Sequence, residues 1–219
     1  MKKYIKYVGL VLAGVLLFSC KKDNFNYKDG YVGISKITHY PDFTITGGAD
    51  TSIVVGGSYT DPGATALQGT SPLKVTSSGS VDPTKAGLYT ITYSATNVDG
   101  FAGTATRYVA VLPSAEVAGS NISGAYTYKA GGASPNATIT KVAAGFYYAS
   151  NVYSGSLTIS AYLISVDGKN IIIPSQSTAY GELDGTGVLL GSTSGSALNY
   201  TLNLPDQGIT ARLRNWLKQ

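Results

Sequence analysis

Gly87-Leu-Tyr-Thr-Ile-Thr-Tyr-Ser-Ala-Thr96 is the stretch whose reading decides the fold. Tyr89, Ile91, Tyr93 and Ala95 fall on one side of an extended chain, and Thr90, Thr92 and Ser94 on the other. Period two with one apolar face predicts a half-buried strand. Asp99-Gly100 follows as a hairpin signal. Thr104-Ala-Thr-Arg-Tyr-Val-Ala-Val111 is the return strand, and Pro113 ends it. Upstream, Thr51-Ser-Ile-Val-Val55 reads as a strand turned by Gly56-Gly57. Asp61-Pro62-Gly63 is a turn in which Pro fixes φ and Gly supplies a positive φ. Leu73-Lys-Val-Thr76 reads as a short strand broken by Gly79, and Asp82-Pro83 opens another turn. Short strands at this spacing predict a β-sandwich over residues 34–113.

The residues of this region carry a resemblance. Gly57-x-Tyr59-x-Asp61-Pro62-Gly63-Ala64 comes first, then Val81-Asp82. Gly87-x-Tyr89-x-Ile91-x-Tyr93-x-Ala95-x-Asn97 and Arg107-x-Val109-x-Val111 follow. In that order they resemble the bacterial immunoglobulin-like domains called DUF5011 or HYR-like. The match departs at Asn97, where many members carry Asp. The resemblance implies a spacer or interaction module, hence architecture more than activity.

Residues 114–120 are small and read as a linker, and a second β-rich unit spans 121–219. Its predicted strands are 122–128, 137–142, 146–149, 157–164, 170–173, 187–190, 197–204 and 209–213. Gly131-Gly132 with Pro135, and Asp167-Gly168, mark turns between them. Strands joined in sequence by short turns predict an antiparallel meander, open or closed into a barrel. The tail from Arg212 to Gln219 fits a last strand or a helical turn about equally, since Leu213, Trp216 and Leu217 also match helical spacing. Ile122-Ser-Gly-x-Tyr126, Ala137-Thr-Ile-Thr-Lys-Val142, Gly145-Phe-Tyr147 and Asn170-Ile-x-Ile173 resemble the DUF5012 C-terminal domains of Bacteroidetes lipoproteins. Those follow an immunoglobulin-like module and are encoded near polysaccharide-uptake machinery. The expected fold class is therefore all-β: an immunoglobulin-like sandwich, then a meander or barrel-like domain.

The chain begins with Lys2, Lys3 and Lys6, then an apolar run from Tyr7 to Phe18, then Ser19-Cys20. A positive start, a short apolar core and a small residue at the cut predict a signal peptide over 1–19, not a spanning helix. Leu17-Phe18-Ser19-Cys20 resembles the lipobox of bacterial lipoproteins, with Phe18 where a smaller residue is commoner. The resemblance implies lipidation at Cys20 by several acyl chains, enough for stable anchoring. Palmitate is among the acyl chains expected. Residues 20–33 then read as a polar tether of up to about 45 Å. Lys21 lacks the Asp that retains some lipoproteins at the inner membrane, which by resemblance implies the outer membrane, on its surface or its periplasmic side.

Chemistry is sparse. Cys20 is the single cysteine, so disulfide frameworks, thiol catalysis and Cys-based zinc sites are excluded. Three lysines leave with the signal, which turns a formal +4 into about +1 and argues against nucleic acid as a partner. His39 is the lone histidine, with no Gly-x-Ser-x-Gly elbow to make a triad, and the Gly-Thr-Gly stretch at 185–187 and the Gly-Ser stretches read as β-turns. Most aspartates have a turn role: Asp29, Asp99, Asp167 and Asp184 precede Gly, and Asp61 and Asp82 precede Pro. Asp23, Asp42 and Asp50 do not. The two glutamates are Glu116, in the linker, and Glu182, too few for paired carboxylate catalysis to be expected. No metal, cofactor or enzymatic activity is expected.

The aromatics remain. Tyr147, Tyr148, Tyr153 and Trp216 are the candidate ligand-binding residues, with Tyr162 and Tyr180 beside them, because exposed rings stack on sugars and mark interfaces. Adjacent Tyr147 and Tyr148 must face opposite sides of a strand, so one of them can be exposed. The reading is a noncatalytic cell-envelope lipoprotein that binds glycan or assists a polysaccharide-uptake complex in the outer membrane. The alternative is a structural or protein-docking lipoprotein without a small ligand.

Overall fold

The structure, a computed structural model, describes residues 26–129, 136–154 and 157–219. The expected signal peptide, Cys20 and the Gly131-Gly132-Pro135 turn lie outside these residues. Two units are present, one ending at His39 and one spanning Tyr40–Gln219. In the first, β1 (Tyr31–Val32) and β2 (Ser35–Lys36) form a minimal antiparallel hairpin.

The second unit is all-β and has two parts. The first is an immunoglobulin-like sandwich. One sheet has the order β3 (Asp42–Ile45), β5 (Ala64–Gln68), β6 (Ser71–Leu73). The other has the order β4 (Asp50–Val54), β9 (Ala102–Leu112), β8 (Gly87–Thr96), β7 (Thr76–Ser78). β8 and β9 pair antiparallel along their length, and β4 runs parallel to β9. Ile91, Tyr93 and Val109 fill the space between the sheets, packed by Phe43, Tyr59, Val81 and Tyr89. This is the apolar face read from the alternation of Gly87–Thr96. The strand expected over 73–76 does not form. Leu73 ends β6 in one sheet and Thr76 starts β7 in the other, so the chain changes sheets at Lys74-Val75.

Arg107 sits on the same inward face and is 1 % exposed. A buried guanidinium needs a counter-charge and acceptors for its donors. Nε lies 3.2 Å from Asp61 Oδ1 and donates to Tyr93 Oη at 2.9 Å. Nη2 donates to the carbonyls of Thr46 and Gly63, at 2.5 and 3.1 Å. Tyr93 Oη donates to Asp61 Oδ1 at 2.6 Å, and Tyr59 Oη reaches the same oxygen at 3.4 Å. Tyr59, Asp61, Tyr93 and Arg107 all belong to the pattern that carries the family resemblance. The pattern therefore records one polar knot inside the sandwich.

The second part is a closed eight-stranded barrel in which each strand pairs with the next. Its strands are β10 (Gly124–Tyr128), β11 (Asn136–Ala143), β12 (Phe146–Ala149) and β13 (Ala161–Ile164). Then come β14 (Asn170–Thr178), β15 (Gly181–Leu190), β16 (Ala197–Leu204) and β17 (Ile209–Lys218). Pairing of Tyr128 with Trp216 and Tyr126 with Lys218 closes the ring. The tail is thus a strand, the helical alternative being displaced by this closure.

The interior is solid. Tyr126, Tyr147, Leu163, Ile171, Ile173, Leu183, Tyr200, Leu202 and Trp216 form one buried cluster. Small barrels fill by alternating large and small side chains. Here Gly185 faces Leu202 and Gly187 faces Tyr200 across β15 and β16. A Cβ on Gly187 would lie 2.2 Å from Tyr200 Cβ and from the Asn199 carbonyl. Gly185-Thr186-Gly187 was expected as a β-turn and is instead mid-strand, because the barrel needs room for Tyr200. Asp184 likewise sits in β15 and not in a turn, accepting from Asn203 Nδ2 at 2.9 Å. With Asn199, Thr201 and Asn203 alternating with the buried leucines of β16, the barrel is apolar inside and polar outside, the reverse of a membrane-spanning barrel.

Candidate functional site

The outer face of β8–β9, which alternation assigns to solvent, is partly covered by the barrel. Ala110, Leu112, Phe146 and Ile164 are buried together, with Leu88, Tyr108, Val142, Tyr162 and Val166 packed against them. Full burial of a side chain such as Leu112, Phe146 or Ile164 is worth roughly 1.5–3 kcal/mol each. Gly145, in the β11–β12 turn with φ +59°, lets this turn close on Leu112, whose Cδ1 would lie 3.1 Å from an added Cβ. Ser52 Oγ donates to the Ala144 carbonyl at 2.7 Å, and the Val117 N–H to Val166 at 2.7 Å.

The 114–120 segment is fastened as well. Lys141 Nζ bridges both Glu116 oxygens at 2.7 and 2.9 Å, and Tyr147 Oη approaches at 3.4 Å. Burial pushes the Glu116 carboxyl up, but Lys141, the Gly145 N–H and Tyr147 outweigh it and hold it below its ordinary value. Burial, then the Glu116 charge, push the Tyr147 phenol up to about 12.

Beside this packed seam the two parts diverge and leave a cleft of about 820 Å³. The sandwich wall is Asp50, Leu88, Thr90, Thr106 and Tyr108; Asp50, Tyr108 and Thr90 lie abreast on β4, β9 and β8. The barrel wall carries Thr140, Tyr148 and Tyr162, abreast on β11, β12 and β13, with Ser160 and the Ser175–Tyr180 segment. Four tyrosine rings meet the space. Tyr108 and Tyr162 touch at the seam, centroids 4.5 Å apart, and Tyr148 stands edge-on to Tyr162 at 5.3 Å. Phe146 stacks on the other side of Tyr162 at 4.9 Å. Tyr148 and Tyr180 keep open faces, at 36 % and 37 % exposure.

Pro174 shapes the barrel wall. It has no N–H to donate, and the β14–β15 register shifts between Ile173 and Gln176. On the other edge of β14, the Gln176 side chain ties the strand to β13: its Oε1 accepts from the Tyr162 N–H at 2.8 Å and its Nε2 donates to the Tyr162 carbonyl at 3.0 Å. Tyr162 is thereby fixed in position. Burial, then a hydrogen bond to Asp50 and the Asp50 charge, raise its phenol well above the ordinary range. Asp50 Oδ1 is closed to water and has no hydrogen-bond partner.

Of the four candidate aromatics, Tyr148 lies in the cleft. Tyr147 and Trp216, at 0 % and 1 % exposure, point into the barrel core. They are core residues and not a binding surface, because the barrel is closed and each occupies an inward register position. Tyr153 packs against that core with the Arg214 guanidinium 3.9 Å above its ring. Tyr162 and Tyr180 join Tyr148 at the cleft. Asp50, Tyr108 and the threonines of the sandwich wall were not singled out. Two signals pointed to them: Asp50 had no turn role, and Leu88, Tyr108, Ala110 and Leu112 put apolar residues on a face that alternation left to water.

Fold and cleft together define a class: an all-β protein in which an immunoglobulin-like sandwich is packed against a closed barrel, with a tyrosine-lined cleft between them. Within it, residues 43–111 match the family of Ig-like domains of bacterial surface proteins. No curated protein matches the chain. Among solved structures it is similar to the lipoprotein BT2262 from Bacteroides thetaiotaomicron, at 23 % identity and TM-score 0.39, over 82 % of this chain and 100 % of that one. It is also similar to a Clostridium perfringens ZmpB structure of CBM51-2 in complex with GlcNAc and INT domains. That match has 13 % identity and TM-score 0.30, over 81 % of this chain and 47 % of that one. A second ZmpB structure, of the M60 catalytic domain with CBM51-1 and CBM51-2, aligns at 17 % identity and TM-score 0.29, over 76 % of this chain and 15 % of that one.

Proposed function

We propose that the protein is a noncatalytic, lipid-anchored cell-envelope protein that holds a glycan in the cleft between sandwich and barrel, serving a polysaccharide-uptake system. The observation that carries this reading is the lining of the cleft. Thr90, Thr106, Thr140, Ser160 and Ser175 line it together with the partly exposed Tyr148 and Tyr180. A saccharide presents two kinds of surface, C–H faces that pack on aromatic rings and hydroxyls that exchange hydrogen bonds. Preformed concave sites with a few placed polar groups suit such ligands. The sandwich wall and the Thr140, Tyr148 and Tyr162 positions of the barrel wall are built on strands, while Ser160 and Tyr180 sit in connections, so the ordering cost of binding falls on few residues.

One carboxylate, Asp50, lines the cleft. Hydrolysis of a glycosidic bond ordinarily uses two carboxyl groups facing each other across it, so binding and not cleavage is the chemistry the lining supports. The surface-type Ig-like domain supports a cell-envelope location. The Cys20 lipobox and Lys21 support an outer-membrane anchor. The test is affinity electrophoresis and calorimetry of the full chain in detergent against a β-glucan, an α-mannan and a galactan. Retention by at least one is expected. Tyr148→Ala and Tyr180→Ala should each weaken it up to about tenfold, the worth of one ring contact. No retention by any neutral polymer contradicts the reading.

A further inference from the structure

We propose that Asp50 sets the charge selectivity of the cleft, which admits neutral glycans and turns away those carrying carboxylates. This rests on the glycan-binding reading and goes beyond it by naming the ligand class and the residue that selects it. Among the residues that line the cleft, Asp50 alone carries a full charge. The cations of neighbouring strands are engaged elsewhere: Lys141 bridges Glu116, and Arg107 is turned into the sandwich toward Asp61. Glu182, on the strand behind the barrel wall, accepts from Ser175 Oγ at 3.0 Å and adds a second negative group near that wall. Among the described residues, the charge that lines the cleft is therefore negative.

The placement of Asp50 strengthens that field. It enters from β4 beside Tyr108, and Tyr162 covers it from the barrel. Water does not reach Oδ1, and no donor of the protein satisfies it. A charge shielded from water acts over several ångströms more strongly than one in solvent. A ligand carboxylate in this space meets like charge, with no cation among the described lining residues to offset it. A neutral ligand carries no charge for that field to act on. Asp50 is thus the repelling group for anionic sugars, acting through space and not by contact.

The experiment uses the full chain in detergent, with the β-glucan, α-mannan and galactan above and the C6-oxidised form of each, in which the primary hydroxyl has become a carboxylate. For whichever neutral polymer is retained, the oxidised form is expected to bind at least tenfold more weakly at low salt, with the gap narrowing as salt is raised. Asp50→Asn should close most of the gap by strengthening the oxidised polymer. Thr90→Lys, which places a cation two strands from Asp50 on the exposed wall, should narrow the gap by strengthening the oxidised polymer, even where loss of the Thr90 hydroxyl weakens the neutral one, and serves if Asp50→Asn unfolds. Neutral retention that depends on Tyr148, with a gap unchanged in both variants, overturns the selectivity and leaves the glycan-binding reading standing. Tighter binding of the oxidised form by the unaltered protein overturns the selectivity as well. Absence of any retention overturns both.

Discussion

Replacing Arg107 with Met tests the polar knot that the family pattern encodes. Met keeps much of the side-chain volume and removes the guanidinium. Four interactions go with it: the ion pair to Asp61 at 3.2 Å, and the bonds to Tyr93 Oη, the Thr46 carbonyl and the Gly63 carbonyl. Losing one partner of a fully buried ion pair costs about 3–5 kcal/mol, largely because the other charge is stranded. Asp61 is less than fully buried, with 24 % of its side chain exposed, and keeps the Tyr93 hydroxyl as a donor. Part of its charge is therefore solvated after the substitution, which puts the expected loss near the lower end, about 3 kcal/mol. With a urea slope of about 2 kcal/mol/M, the midpoint of the sandwich transition falls by about 1.5 M. The assay is urea unfolding followed by tyrosine fluorescence on Arg107→Met, Asp61→Asn and the double variant. Because the two residues act as a unit, the double variant should be less destabilised than the sum by at least about 1 kcal/mol. A loss below about 1 kcal/mol for Arg107→Met, or strict additivity, refutes the knot.

Other outcomes follow from the seam and the barrel. Tyr162→Ala removes a ring touching Tyr108, Phe146 and Tyr148; a loss of about 3–5 kcal/mol is expected, and calorimetry should show sandwich and barrel melting at separate temperatures. Gly187→Ala brings a Cβ within 2.2 Å of backbone and of Tyr200 Cβ, neither of which is the free end of a flexible chain; the barrel should lose at least about 2 kcal/mol in denaturant titration. Glu116 has a depressed folded pKa, so its stabilisation is present above its ordinary value of 4.5 and is lost as pH falls through the folded one. Lys141 is 37 % exposed and screened by solvent, so Glu116→Gln should cost about 0.5–1 kcal/mol at pH 7 and progressively less below about pH 4 in thermal melts.

Much of the fold was legible because strand alternation is a local property. Gly87–Thr96 announces its buried face through Tyr89, Ile91 and Tyr93, and the turns announce themselves through Asp-Gly and Asp-Pro. What alternation does not carry is which strands close a sheet or which second surface covers an outward face. Gly185 and Gly187 read as turn residues because their reason, the Tyr200 ring across the barrel, lies on another strand. Tyr147 and Trp216 read as binding aromatics because barrel closure, which buries them, is a property of the whole domain. The cleft was half visible. Tyr148, Tyr162 and Tyr180 were noted as aromatics, and Asp50 as an acid without a turn to explain it. Their meeting depends on the docking of sandwich against barrel, and only Leu88, Tyr108, Ala110 and Leu112, apolar on the wrong face, hinted at that contact.

The most direct test of the central claim is calorimetric binding of the full chain to the neutral glycan panel, with the Tyr148→Ala/Tyr180→Ala double variant alongside. The cleft account predicts saturable binding of at least one neutral polymer by the unaltered protein. It predicts that the double variant, still showing a cooperative thermal transition, binds at least tenfold more weakly. Equal binding by the two proteins, or no binding by either, contradicts it.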